Sequence, residues 1–141
     1  MAKRRIAAIT FDFWDCLFVD DSDEPKRKAA GQPPKPVARR QLVYEFLNRH
    51  GTISREAVNG GYDVVDAAFG KVWRDQHVTW SVRERLNVLL RGLKRVLPET
   101  ELDELVRLHE EMELQFRPEP APGAREALQA LHGKYPIALV S

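Results

Sequence analysis

The chain has 141 residues, 43% of them hydrophobic and 30% charged, with a formal net charge of +1. That length suits one core, or a small core carrying an inserted subdomain. The near-neutral balance leaves no electrostatic footprint for nucleic acid or an anionic membrane, no apolar run approaches membrane-spanning length, and the single cysteine, Cys16, cannot form an internal disulfide, so a reducing, cytoplasmic location is expected.

Lys3-Arg4-Arg5 precede an apolar run, but Asp12 and Asp15 interrupt that run too early for a signal peptide. Ile6 to Phe11 is too short for a helix and reads as a buried strand ending at Asp12. A carboxylate at the end of a buried strand is costly unless paired or metal-bound. Open α/β sheets place their chemistry just beyond the carboxyl ends of strands. Asp12 is therefore the candidate nucleophile. Asp15 is expected as a turn residue and Cys16 as a small buried hydrophobe. Asp20 to Lys28 is charged and Gly31 to Pro36 is rich in proline, which predicts a linker with solvated charges.

Four amphipathic helices are expected next. The first runs from Val37 to His50, with Leu42, Val43, Phe46 and Leu47 on one face and Gly51 as its stop. Ser54 caps the second, whose apolar positions are Val58, Tyr62, Val65, Phe69 and Val72; Gly60-Gly61 weakens its first turns. Ser81-Val82-Arg83-Glu84 is a capping box opening the third, with Leu86, Leu89, Leu90, Leu93 and Leu97 before Pro98. Thr100 is expected to cap the fourth, with Leu102, Leu105, Val106, Met112 and Phe116 on one side. Short connections between such helices argue for a bundle. Trp73 and Trp80 flank Arg74-Asp75-Gln76-His77 and are expected to pack in the core. Arg74, His77 and Trp80 are also candidates for a specificity loop. His109 falls on the apolar face of the fourth helix and is expected as a packing histidine with its polar atoms satisfied.

Pro118 to Gly123 is a second linker, followed by a short helix from about Ala124 to His132. Ile137-Ala138-Leu139-Val140-Ser141 then repeats the opening theme, an apolar strand ending in a polar residue. The predicted order is strand, linker, bundle, linker, helix, strand. A long helical connection is what parallel pairing of the two strands requires. The expected organisation is residues 1–19 as core strand and nucleophile loop, 20–118 as linker and helical insertion, and 119–141 as core helix and second strand.

These residues resemble the haloacid dehalogenase superfamily of hydrolases. Phe11-Asp12-Phe13-Trp14-Asp15-Cys16-Leu17 is similar to its first motif, an apolar strand ending in Asp-x-Asp-x-Thr. Ile137 to Ser141 is similar to its second, an apolar strand ending in Ser or Thr, and Pro122-Gly123-Ala124 resembles the turn before it. The resemblance implies an α/β fold, a Rossmann-type parallel sheet (partial here) with an inserted four-helix cap bundle. It implies covalent catalysis by Asp12 through an aspartyl-phosphate. Ser141 would donate its hydroxyl to the phosphoryl group, and the backbone after Asp12, at Phe13 and Trp14, would help to hold it. Mg²⁺ is the implied cofactor, with the Asp12 carboxylate and the Trp14 backbone carbonyl as ligands.

The sequence departs from the family at Trp14, where phosphatases carry their acid/base Asp, and at Cys16, where the threonine stands. Trp14 reads equally as a substrate-facing wall or a core plug. The family's third and fourth motifs, a Lys or Arg and an acidic pair, follow motif two and are not within residues 1–141. The expectation is a Mg²⁺-dependent phosphatase for a small phosphorylated metabolite in its complete form, inactive as this chain. A metal-independent 2-haloacid dehalogenase-like hydrolase, to which Trp14 and the Arg39-Arg40 region bear a looser likeness, is one alternative. A truncated, non-catalytic interaction module is the other. Unpaired core strands suggest a homodimer or a segment swap.

Overall fold

Four apolar stripes at helical spacing must be buried against something. In the computed structural model, which describes residues 6–140, they bury one another. The helices are α2 (Lys35–Arg49), α3 (Arg55–Gln76), α4 (Val82–Gly92) and α5 (Glu99–Leu114). Each packs on its neighbour in the chain, and α2 against α5 closes the ring. The shared core is Val43, Phe46 and Leu47 from α2, Val58, Tyr62 and Val65 from α3, Leu86, Leu89 and Leu90 from α4, and Leu102 and Leu105 from α5. All eleven belong to the stripes expected from the sequence. Together the helices form one compact unit, Gln32–Gln115.

The helix ends follow local chemistry. Ser54 Oγ accepts from the Ala57 amide at 3.1 Å and starts α3. Ser81 and Glu84 form the complete capping box of α4, two reciprocal bonds that satisfy otherwise orphaned amides. Two expected ends are corrected. α5 begins at Glu99 behind Pro98, so Thr100 lies inside the first turn and caps nothing; proline's fixed φ prepares the turn by itself. α4 ends at Gly92 rather than at Pro98, because Lys94 turns left-handed with φ 54°.

Close helix packing explains one of the two adjacent glycines of α3. A Cβ at Gly61 would sit 2.8 Å from Leu89 Cδ1, whereas one at Gly60 would meet nothing within 4 Å. Gly60→Ala is therefore expected to stabilise the bundle by about 0.5–1 kcal/mol through helix propensity alone. Gly61→Ala should give less or reverse the sign, because Leu89 must move. Urea midpoints of the two variants test the difference.

The second unit joins Met1–Gly31 to Phe116–Ser141. It holds β1 (Ile9–Asp12), α1 (Glu24–Ala29), α6 (Ala124–Leu131) and β2 (Ile137–Val140). The strands pair in parallel, in the register Ile9 with Ile137 through Asp12 with Val140. The protein is thus mixed α/β, with six helices and one two-stranded parallel sheet among the described residues.

Three expectations for this unit are corrected. The strands are not fully buried: Ile9 and Phe11 are half-buried while Thr10 and Asp12 are exposed, and in β2 only Ile137 is partly covered. A two-stranded sheet has a free edge on both sides. The acidic-then-basic stretch is not a plain linker either, since Pro25 in the first turn starts α1. Its charges are not all solvated: Arg27 is 1% exposed, with its guanidinium 5.6 Å from the Phe116 ring, and Asp23 is buried as well. Cys16 is exposed rather than buried, because it lies at the tip of the turn that follows β1.

Candidate active site at the carboxyl end of β1

β1 ends at Asp12, and the chain turns at once. The Leu17 and Phe18 amides both donate to the Phe13 carbonyl at 3.1 Å, and the Asp15 amide donates to the Phe18 carbonyl at 2.7 Å. Asp15 holds the left-handed conformation with φ 54°, and its Oδ1 accepts from the Asp20 amide at 3.1 Å. Aspartate tolerates that conformation because a short polar side chain bonds locally. Asp15 is thus a turn residue, as its position suggested.

This turn is stapled to the segment before α6. The Ala121 amide donates to the Leu17 carbonyl at 2.8 Å and the Val19 amide to the Glu119 carbonyl at 2.9 Å. Ser22 Oγ accepts from the Glu119 amide at 2.7 Å. Lys26 Nζ donates to the Arg117 carbonyl at 2.7 Å and pairs with the Glu119 carboxylate. Leu17 is buried beneath. The proline-glycine linker is therefore the partner of the turn that follows β1, with Gly123 left-handed at φ 78° to start α6.

Asp12 itself is exposed, so no burial penalty attaches to its charge. Its Oδ1 accepts from the Phe13 amide at 2.7 Å, and its other oxygen has no donor among the described residues. The Trp14 and Cys16 amides, and the Trp14 carbonyl, make no hydrogen bond among the described residues. Trp14 is 43% exposed and is not a core plug. Its ring meets Phe13 edge-on at 4.8 Å, and Phe13 stacks on Phe18 at 4.9 Å. An acceptor carboxylate, two free amides and an aromatic wall thus follow one another along five residues.

Ser141 lies outside the described residues, one position beyond Val140, which pairs with Asp12. Arg74, His77 and Trp80 belong to the bundle. Arg74 is in the last turn of α3, His77 ends that helix in the left-handed conformation at φ 54°, and Trp80 packs against Phe69 at 5.8 Å. Trp73 is 55% exposed, against the expectation of core packing. Its place in the last turn of α3 lies beyond the eleven residues of the bundle core.

For Mg²⁺ the residues present are suitable in kind and insufficient in number. Asp12 and the Trp14 carbonyl are hard oxygen donors, but Mg²⁺ demands octahedral coordination. Among the described residues no group of three or more acidic, histidine or cysteine side chains converges on one point. Residues 6–140 do not form a Mg²⁺ site by themselves.

A second polar group lies within the bundle, and no sequence pattern points to it. Arg39 on α2 clasps Glu113 on α5 with both arms, Nε on one carboxylate oxygen and an end nitrogen 3.1 Å from the other. His109, one turn before Glu113, is 6% exposed, with Nδ1 4.0 Å from the Glu113 carboxylate and no hydrogen-bond partner. His109 packs as expected, but its polar atoms are not all satisfied. Tyr62 on α3 is also buried, with its hydroxyl unpartnered. Burial pushes the Tyr62 hydroxyl well above its ordinary pKa. Burial also pushes Glu113 up, but the Arg39 bond and charge outweigh it and leave the carboxyl lowered. Arg85 on α4 bonds Asp66 on α3 at 2.6 Å. No local periodicity links positions 39 and 113, so only the packed bundle brings them together.

No family model, curated protein or solved structure matches this chain.

Proposed function

We propose that the chain is the nucleophile-bearing part of a haloacid dehalogenase-type hydrolase, with the bundle as its inserted cap and a small phosphorylated metabolite as substrate. One observation carries the reading. Two parallel strands, joined by a long helical connection, end level with each other, and the first ends in the exposed carboxylate of Asp12. Asp12 attacks phosphorus in line; an oxygen–phosphorus bond to Asp12 forms as the bond to the leaving alcohol breaks. Water then hydrolyses the aspartyl-phosphate. The unbonded Trp14 and Cys16 amides are suited to hold phosphoryl oxygens, as backbone donors do elsewhere, and the Ser141 hydroxyl adds a third. Trp14 supplies no acid, so the leaving oxygen takes its proton from solvent. Mg²⁺, held by Asp12 and the Trp14 carbonyl together with donors that residues 6–140 do not supply, would neutralise charge.

Residues 1–141 alone are expected to release no phosphate from p-nitrophenyl phosphate in Mg²⁺, in wild type and Asp12→Asn alike. Release by wild type that Asp12→Asn abolishes would overturn the claim that this site is incomplete.

Trp14 favours a second reading, a metal-independent dehalogenase, because a halide leaves without needing a proton. The exposure of β2 favours a third, an interaction module. Leu139 and Val140 are 59% and 57% exposed on a strand with a free edge, so we also propose pairing with a second copy. Sedimentation should show concentration-dependent self-association that Leu139→Lys weakens, since a charge on an edge strand opposes pairing. A monomer at all concentrations sinks this proposal.

A further inference from the structure

The polar cluster of the bundle, with His109 and Tyr62 buried and the others partly covered, has a property that packing alone does not require. Each of the four bundle helices contributes to it: Arg39 from α2, Tyr62 and Asp66 from α3, Arg85 from α4, and His109 and Glu113 from α5. At neutral pH its ionic groups are matched. Arg39 faces Glu113, and Arg85 and Arg40 face Asp66, with Asp63 also on Arg40. His109 lies among them buried, with Nδ1 unpartnered.

We infer that His109 and the Arg39–Glu113 clasp form an acid-responsive latch, in which one proton on His109 frees the last two turns of α5 from the other helices. A proton on the imidazole adds a positive charge that is less than a tenth exposed, with Arg39 and Arg85 nearby. Glu113 is the carboxylate within reach, at 4.0 Å, and both its oxygens are already bound by Arg39. The imidazolium and Arg39 must then share the one carboxylate of Glu113, which weakens its hold on Arg39, or the imidazolium stays buried without a hydrogen bond. Both outcomes weaken the hold of α5 on α2, and an unpaired buried charge is among the costliest defects in a fold. Lys35 on α2 adds positive charge on the Glu113 side, Tyr62 offers only a neutral hydroxyl, and Asp66 on α3 is held by Arg85 and Arg40, so among the described residues no other element supplies a spare anion.

Desolvation, with Arg39 and Arg85 adding to it and Glu113 opposing, holds the His109 pKa down at about 4. When the turns open, the imidazole regains the ordinary value near 6.5. The closed form is therefore fully favoured above about pH 6.5. Its advantage falls as the pH drops towards 4, and opening becomes about tenfold easier per unit of pH across that window.

Hydrogen exchange on the whole chain tests this. Protection factors of amides 108–114 are expected to fall about tenfold per pH unit below 6.5, while those of Val58, Leu89 and Leu90 fall much less. In His109→Gln the fall at 108–114 should vanish. An equal loss over all four helices, or the same loss in His109→Gln, overturns the latch. Should that variant fail to fold, the wild-type imidazole titration decides: a folded-state midpoint well below 6 supports the latch, and one near 6.5 overturns it.

Discussion

Phe46→Ala should cost the bundle about 4 kcal/mol, the largest loss expected from any single side chain of α2. Phe46 is 1% exposed and sits in the cluster that all four helices share. Removing the ring takes away its transfer free energy and leaves a cavity that Val43, Leu47 and the facing leucines cannot fill without moving off their rotamers. Mesophilic domains are stable by only about 5–15 kcal/mol, so a loss of that size brings the bundle close to its unfolding threshold. The matching truncation in the sheet, Leu139→Ala, removes a side chain that is 59% exposed and should cost about 0.5 kcal/mol or less. Urea unfolding followed by far-ultraviolet circular dichroism reports the first directly, because most of the helix lies in the bundle. Equal costs at the two positions would mean that the core lies elsewhere than in the bundle.

Arg39→Met is expected to destabilise by about 3 kcal/mol, and adding Glu113→Leu to restore most of it. The two side chains are roughly a quarter exposed and doubly bonded. Losing the guanidinium leaves a half-buried carboxylate without its counter-charge, and such one-sided removals are costly. Replacing both partners by apolar residues removes the orphan as well as the pair, which is often nearly neutral. Acid should reveal the same coupling. The Glu113 carboxyl is lowered in the fold, so its contribution is present above the ordinary carboxylate pKa and is lost as pH falls through its folded value. A double-mutant cycle measures the coupling. A coupling energy near zero would show that the clasp contributes only geometry.

Helical periodicity is where the sequence was most legible. Every residue of the bundle core was on an expected apolar stripe, because burying such a stripe allows few alternatives. Ser54 and Ser81 marked real starts for the same local reason. Thr100 failed because a proline one residue ahead of the helix had already fixed the turn. Short-range reading also missed α1. A run of acidic then basic residues looked like solvated linker, yet Asp23 and Arg27 are buried, and Arg27 lies against the ring of Phe116, far from it in the sequence. Cys16 was misjudged because apolar neighbours in sequence say little about a residue at the tip of a turn. Asp12 was legible as a strand-end carboxylate, but it is not buried, since the strand alternates and Asp12 faces water. What supports its role is the register with β2 and the unbonded amides after it, neither of which a sequence displays. The Arg39–Glu113–His109 group was invisible for a related reason, being created by antiparallel packing of the first and last helices of the bundle.

Phosphate release by the protein expressed from the full reading frame that contains residues 1–141 is the most direct test of the hydrolase reading. Wild type and Asp12→Asn would be assayed with p-nitrophenyl phosphate, with and without Mg²⁺, and with 2-chloropropionate for halide release. Mg²⁺-dependent phosphate release is expected, lowered at least about a thousandfold in Asp12→Asn, as removal of a covalent nucleophile does. Phosphate release that survives in Asp12→Asn, or halide release in its place, would contradict it.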